Sequence, residues 1–200
     1  MVEHYYTKKQ KSAFRPRKIT VRVLEMYLEL NTAGGVFSPR KLDMGTRRLV
    51  EAAVIKRGWK VLDFGCGYGV VGIAIKKKHP GVDVVMSDVN ERAIKLAKMN
   101  VKLNKIDAEI IQSDVFKNKE LDAMRFDTIL FNPPQTAGKK LCFKMIEDVK
   151  EHLVKGGLLQ LVARSQKGGK QLSKKMEEVF GNVDVVAKKS GYWVYVSEKK

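Results

Sequence analysis

Two short stretches of this 200-residue chain carry groups that could do chemistry. The first is DFGCGYGVVG, residues 63–72. Glycines repeated at this spacing let a backbone turn tightly and approach a ligand with no side chain in the way. Gly67, Gly69 and Gly72 spell G-x-G-x-x-G, and Asp88 lies about twenty residues on, where a dinucleotide fingerprint places its ribose-binding acid. One reading is therefore a nicotinamide-dependent enzyme. The turn begins earlier, however, as Asp63-x-Gly65-x-Gly67-x-Gly69. A carboxylate inside the turn repels a pyrophosphate and suits a ligand that carries an ammonium group. The second stretch is FNPPQTAG, residues 131–138, where an apolar run ends in Asn132, Pro133, Pro134 and Gln135. A dinucleotide fold gives no reason for it.

These groups need elements to hold them. From residue 58 onward, strand-like and helix-like segments alternate. KVLDF (60–64), VDVVMSD (82–88), AEIIQSD (108–114) and FDTILFN (126–132) read as strands. VVGIAIKKK (70–78) has helical spacing, and Ala93, Leu96, Ala97 and Val101 share a helix face that Asn90 would cap. KLCFKMIEDVKEHL (140–153) reads as an amphipathic helix stopped by Gly156-Gly157, followed by the strand LLQLVAR. The helix GKQLSKKMEEVF precedes two final strands joined by a Ser190-Gly191 turn. Such alternation predicts an α/β chain. It would have a Rossmann-like, seven-stranded, mostly parallel sheet, helices on both faces and a C-terminal antiparallel hairpin strand. Ligands of such sheets bind beyond the strands' carboxyl ends, at the switch point of strand order. Residues 1–45 read as a basic N-terminal extension with one helix, ITVRVLEMYLEL; residues 46–200 read as the main domain.

In order and spacing these stretches resemble the class I S-adenosylmethionine-dependent methyltransferases, over nearly the whole chain. Asp63, Gly65, Gly67 and Gly69 match the class's glycine motif, with Cys66 a small residue beside the cofactor. Asp88, Val89 and Asn90 fall where the class binds the ribose hydroxyls. Ser113, Asp114 and Val115 of QSDVF fall beside the adenine, and Asp114 would accept from its amine. NPPQTAG matches the N/D-P-P motif of amino methyltransferases. More narrowly, GGVFSPRKLDMGTRRLVE (34–51) is similar to the segment preceding the core in the small-subunit rRNA guanine-N2 methyltransferases and their small archaeal relatives. There, residues matching Phe37, Ser38, Asp43, Gly45 and Thr46 lie over the cofactor.

The resemblance implies a chemistry for Asn-Pro-Pro. An amine on a base ring has a delocalised lone pair and must be held in its pyramidal, nucleophilic form. Two acceptors aimed at its N–H groups do this: the Asn132 side-chain oxygen and the Pro133 carbonyl. Proline fixes the backbone direction and offers no competing donor. Such a site works by positioning and electrostatics and requires no strong base. Many members place an aromatic residue after Asn-Pro-Pro to stack on a flipped base. Gln135 stands there instead: Phe37 or Phe143 could supply the stacking from elsewhere, or Gln135 itself could hydrogen-bond a base edge. Guanine N2, cytosine N4 and adenine N6 all stay open as targets, and so does the side-chain amide of a protein glutamine.

Charge points to the partner. Lysine and arginine number 39 against 22 acids, a formal +17. Solvated lysine faces are common, but here the distribution is uneven. Lys8, Lys9, Lys11, Arg15, Arg17, Lys18 and Arg22 follow one another with no acid between them. Phosphates are drawn to such a run. RNA is the expected partner, as rRNA or an assembled ribosomal particle, with S-adenosylmethionine as cofactor. A non-catalytic RNA-binding module would share the charge but has no use for Asn132. Cys66, Cys142 and three scattered histidines assemble no metal pattern. Absence of a long apolar run or signal-like leader suggests a cytoplasmic chain without membrane contact. Oligomeric state is not legible. His4, Tyr5 and Tyr6 could touch ligand, whereas Trp193 and Tyr195 read as sheet packing.

Overall fold

A computed structural model describes residues 4–200. Seven strands form the central sheet in the order β5-β4-β3-β6-β7-β9-β8. They are β3 (Lys60–Phe64), β4 (Asp83–Asp88), β5 (Glu109–Gln112), β6 (Phe126–Phe131), β7 (Leu153–Arg164), β8 (Asp184–Lys189) and β9 (Tyr192–Glu198). The first five run parallel, and β9 enters antiparallel to both β7 and β8. Helices α1 (Met44–Ala52), α2 (Val70–Lys78), α3 (Glu91–Leu103), α4 (Lys119–Ala123), α5 (Lys139–His152) and α6 (Lys170–Phe180) connect and cover the strands. Two apolar clusters follow: Val61, Ile73, Ile75 and Leu96 belong to one, and Phe126, Ile129, Leu159 and Met176 to the other. The predicted sheet, its closing hairpin and helix α2 stand as expected. So does the Asn90 cap, whose oxygen accepts from Arg92 N–H (2.9 Å) and Ala93 N–H (3.3 Å).

Two expectations are corrected. ITVRVLEMYLEL is not a helix but a hairpin of β1 (Arg17–Val23) and β2 (Met26–Thr32). Its apolar residues recur every second position: Val21, Val23, Leu28 and Leu30 are buried, while Thr20, Arg22, Tyr27 and Glu29 are exposed. That is a strand period. The two turn residues, Leu24 (φ +49°) and Glu25 (φ +60°), both sit in left-handed conformation. Such a turn ordinarily announces itself by Asn-Gly or Asp-Gly, and here it does not. Nor do Gly156 and Gly157 stop α5. The helix ends at His152, and the glycines lie inside β7, where its register with β6 shifts. A Cβ on Gly157 would stand 2.9 Å from the Val154 carbonyl oxygen, so glycine permits the irregularity.

The hairpin's buried face joins the first apolar cluster. It is also pinned to α3 by Asn100, a fully buried amide. Asn100 accepts from Asn31 N–H (2.6 Å) and donates to the carbonyls of Asn31 (2.9 Å) and Tyr68 (2.8 Å). One residue therefore ties the N-terminal hairpin, α3 and the glycine turn together.

Candidate active site

The strand order reverses between β3 and β6, which puts a crevice above their carboxyl ends. Each parallel strand delivers one chemical group to that edge. β3 ends in the glycine turn, where Gly65, Gly67 and Gly69 have φ of +72°, +57° and +93°. β4 ends in Asp88, β5 leads to Ser113, and β6 leads to Asn132. The crevice encloses about 1130 Å³, counting its open mouth.

Its floor is acidic and buried. Asp63, 3 % exposed, accepts from Gly72 N–H at 2.8 Å. Burial pushes its carboxyl up to about 7, and the nearby charge of Asp88 adds to the shift. Asp88 accepts from Gly67 N–H (2.8 Å) and Asn90 N–H (2.9 Å), yet burial still raises it to about 6. Two desolvated carboxylates in one crevice are suited to a ligand with cationic and hydroxyl groups. Glycine leaves the room for it: no atom lies within 4 Å of where a Cβ on Gly65 or Gly67 would stand. Gly72 is glycine for another reason, because a Cβ there would stand 2.6 Å from the Met86 sulfur.

Asn132 is held by two residues from the segment before the sheet. Its side-chain nitrogen donates to Thr46 Oγ1 at 3.0 Å and to Asp43 Oδ2 at 3.3 Å. Asp43 also caps α1, accepting from Thr46 N–H at 2.9 Å. A carboxylate can only accept, so this contact fixes which way the amide faces. The Asn132 oxygen is left as the acceptor available to the crevice. The Pro133 carbonyl accepts from Gln135 N–H at 2.8 Å in a γ-turn, and the Pro134 carbonyl accepts from Ala137 N–H at 2.8 Å to open the short 3-10 turn Gln135–Ala137. A carbonyl oxygen keeps a second lone pair for a further donor.

Phe37, Ser38, Asp43, Thr46, Asp63, Gly65, Cys66, Gly67, Asp88, Val89, Asn90, Ser113, Asp114, Val115, Asn132, Pro133 and Pro134 all line this crevice. Gly45, Gly69 and Gln135 do not. Gly45 is a packing glycine, since a Cβ would lie 2.9 Å from both Asp43 Oδ2 and the Tyr192 ring. Gly69 faces Ile73 and Met86 at the start of α2. Gln135 opens into a neighbouring hollow. Asn90 reaches the crevice with its side chain already spent: beyond the helix cap, its nitrogen donates to the carbonyls of Tyr5 and Gly35, both at 2.8 Å. Asp114 is exposed and ion-paired with Lys117. Val115 holds φ +57°, strained for a β-branched residue.

Other lining residues had no sequence signal as site residues: Tyr68, Ser87, Leu141 and Met145. Tyr5 and Tyr6, weighed as possible ligand contacts, stand at the crevice. The Tyr5 hydroxyl shares a hydrogen bond with Thr136 Oγ1 at 3.1 Å, and its ring lies 5.1 Å from that of Phe37. The N-terminal segment thus reaches the Asn-Pro-Pro turn, a contact across most of the chain. Among the described residues, no group of three or more His, Cys, Asp or Glu side chains is placed to hold a metal ion. Likewise no helix among them is long and apolar enough to cross a membrane. Trp193 and Tyr195 pack within the second apolar cluster.

A glycine turn between buried acids, at the switch point of a seven-stranded sheet, defines an S-adenosylmethionine-dependent methyltransferase. The sequence profile of the methyltransferase small domain family matches residues 27–196, and the chain belongs to that family. An uncharacterized protein of Bacillus subtilis (strain 168), YbxB, is 36% identical over the full length of both chains. The ribosomal RNA small subunit methyltransferase C of Pasteurella multocida is 36% identical over 84% of this chain. The present chain spans about half of that relative, covering 51% of it. Among solved structures, a 16S rRNA N2 methyltransferase from T. thermophilus, in complex with AdoMet and guanosine, superimposes with a TM-score of 0.83. It is 26% identical, over 94% of this chain and 52% of its own. The family excludes the nicotinamide reading of the glycine turn.

Proposed function

We propose that this chain transfers a methyl group from S-adenosylmethionine to an exocyclic base amine in ribosomal RNA, with guanine N2 as the target. The observation that carries this reading is the Asn132 amide, oriented by Thr46 and Asp43 so that its oxygen is free to accept. The names of the relatives, one acting on small-subunit rRNA and one solved with guanosine, support the choice of RNA and of guanine. The formal charge of +17 supports a polyanionic partner.

The cofactor supplies an electrophilic methyl group on a sulfonium. The chain's own residues do the rest. Asp63 offers its charge to a cationic group, and Asp88 offers acceptors to the ribose. Ser113, Asp114 and Val115 flank the adenine, while Phe37, Ser38, Asp43 and Thr46 cover the ligand. Asn90 acts indirectly, by tying Tyr5 and Gly35 over the crevice. Asn132 Oδ1 and the second lone pair of the Pro133 carbonyl accept hydrogen bonds from the two amine N–H groups, and the nitrogen loses one proton to water once it is methylated. That holds the lone pair out of the ring plane and stabilises charge developing on nitrogen. The base must be splayed out of any helix to reach them. Tyr5, Tyr6, Phe37 and Ser38 of the N-terminal extension serve as the cover of this site, and the cations between Lys8 and Arg22 supply phosphate contacts.

The test is transfer of labelled methyl into total RNA from a strain lacking the gene, followed by digestion and nucleoside chromatography. Label in N2-methylguanosine is expected. Label in an N4-methylated cytidine would retain the acceptor pair and replace the base. Label in protein glutamine would overturn the RNA reading.

A further inference from the structure

A second hollow, of about 680 Å³ counting its open mouth, adjoins the Asn-Pro-Pro turn through Gln135. Pro134 lines the cofactor crevice, and the next residue, Gln135, lines this one. Helix α5 is divided in the same way. Leu141 and Met145 face the crevice, while Lys139, Cys142 and Phe143 face the hollow. The opposite wall includes Gln166 and Lys167, from the kinked segment between β7 and α6. The kink comes from Lys167 and Gly168, the latter at φ +96°, with open space where its Cβ would be.

Three features give this hollow a chemical character. The Gln135 side-chain nitrogen is shut off from solvent and has no hydrogen-bond partner. A buried amide donor left unpaired is costly, and a ligand acceptor would remove that cost. The lining contains lysines and no carboxylate. Phe143 adds a half-buried aromatic ring. Donor, cation and ring together match one nucleotide: a base edge with an acceptor, a phosphate, and a flat face.

We infer that the hollow seats the nucleotide adjacent to the target in the RNA strand, with Gln135 as the residue that reads its base. This rests on the RNA reading given above. A target amine at Asn132 has its strand neighbours one backbone step away, and the hollow begins one residue beyond the crevice wall. When the Gln135 side chain turns out into the hollow, its Nε2 donates to a ring carbonyl or ring nitrogen of the neighbouring base. Lys139 and Lys167 take its phosphates. Reading splayed single-stranded bases by their edges is the usual way a protein obtains sequence preference on RNA. Gln135 then belongs to substrate selection, and the target base does without an aromatic platform at that position.

The experiment compares kcat/KM for methyl transfer to RNA fragments that share the target and differ only in the two adjacent nucleotides. Wild type is expected to prefer one adjacent base by about tenfold, the size of one good edge contact. Gln135→Leu is expected to abolish that preference while binding S-adenosylmethionine as tightly as wild type. Lys167→Ala is expected to weaken all fragments alike and to reduce the salt slope of RNA binding by about one. A wild type indifferent to the adjacent base would overturn the inference, as would Gln135→Leu retaining the preference. No transfer to any RNA, total RNA included, would instead overturn the RNA reading and this inference with it.

Discussion

The chemistry proposed for Asn132 depends on which end of an amide faces the crevice, and Asp43 with Thr46 fixes that orientation. Asn132→Ala is expected to lower kcat by about 10²–10³, the cost of deleting one oriented polar group at a reacting centre. Single-turnover rates check this, with cofactor affinity measured alongside. Asp63 makes a pH prediction. Its carboxyl stands at about 7 in the folded chain against an ordinary 3.8. Between those values the folded chain binds the proton more tightly than the unfolded chain, so stability of the ligand-free protein falls as pH rises through that window. A cationic ligand favours the ionised form, so cofactor affinity should rise over the same window. Binding near pH 6 should therefore release protons. Calorimetry in buffers of different ionisation enthalpy measures that release, and proton uptake would contradict it.

Among the elements, most strands and helices from residue 58 onward were legible because their apolar spacing and turn residues agree; α4 and the first residues of β7 were not. The hairpin was not, because VLEMYLEL is rich in good helix formers and its turn is Leu24-Glu25. Only the alternation of Val21, Val23, Leu28 and Leu30 betrays the strands. Glu25 is exposed and left-handed, so Glu25→Gly is expected to stabilise the protein by about 0.5–1 kcal/mol, read from denaturant midpoints. Asn100→Ala removes the amide that joins hairpin, α3 and glycine turn. A loss of about 2–3 kcal/mol is expected, because the partners left behind are buried. Unchanged stability would show that the hairpin docks by apolar contact alone.

For the whole molecule, the crevice was legible as a set of motifs and its closure was not. The order of Asp63, Asp88, Ser113 and Asn132 along the chain follows from strands that deliver them to one edge of one sheet. Tyr5 meeting Thr136 across the crevice is a tertiary contact that no local spacing announces. Gln135 was placed beside the target from its position after Asn-Pro-Pro, yet the turn carries it into the next hollow. The run of cations from Lys8 to Arg22 predicts RNA affinity that falls steeply as salt rises. Binding indifferent to salt would remove phosphate contacts from the account.

The most direct test of the central claim is nucleoside analysis of RNA methylated by wild type and by Asn132→Ala under equal cofactor saturation. Wild type should yield N2-methylguanosine, and the variant about a hundredth as much or less in the same time. Equal yields from the two proteins, or a methylated product without an exocyclic amine, would contradict the role given to Asn132.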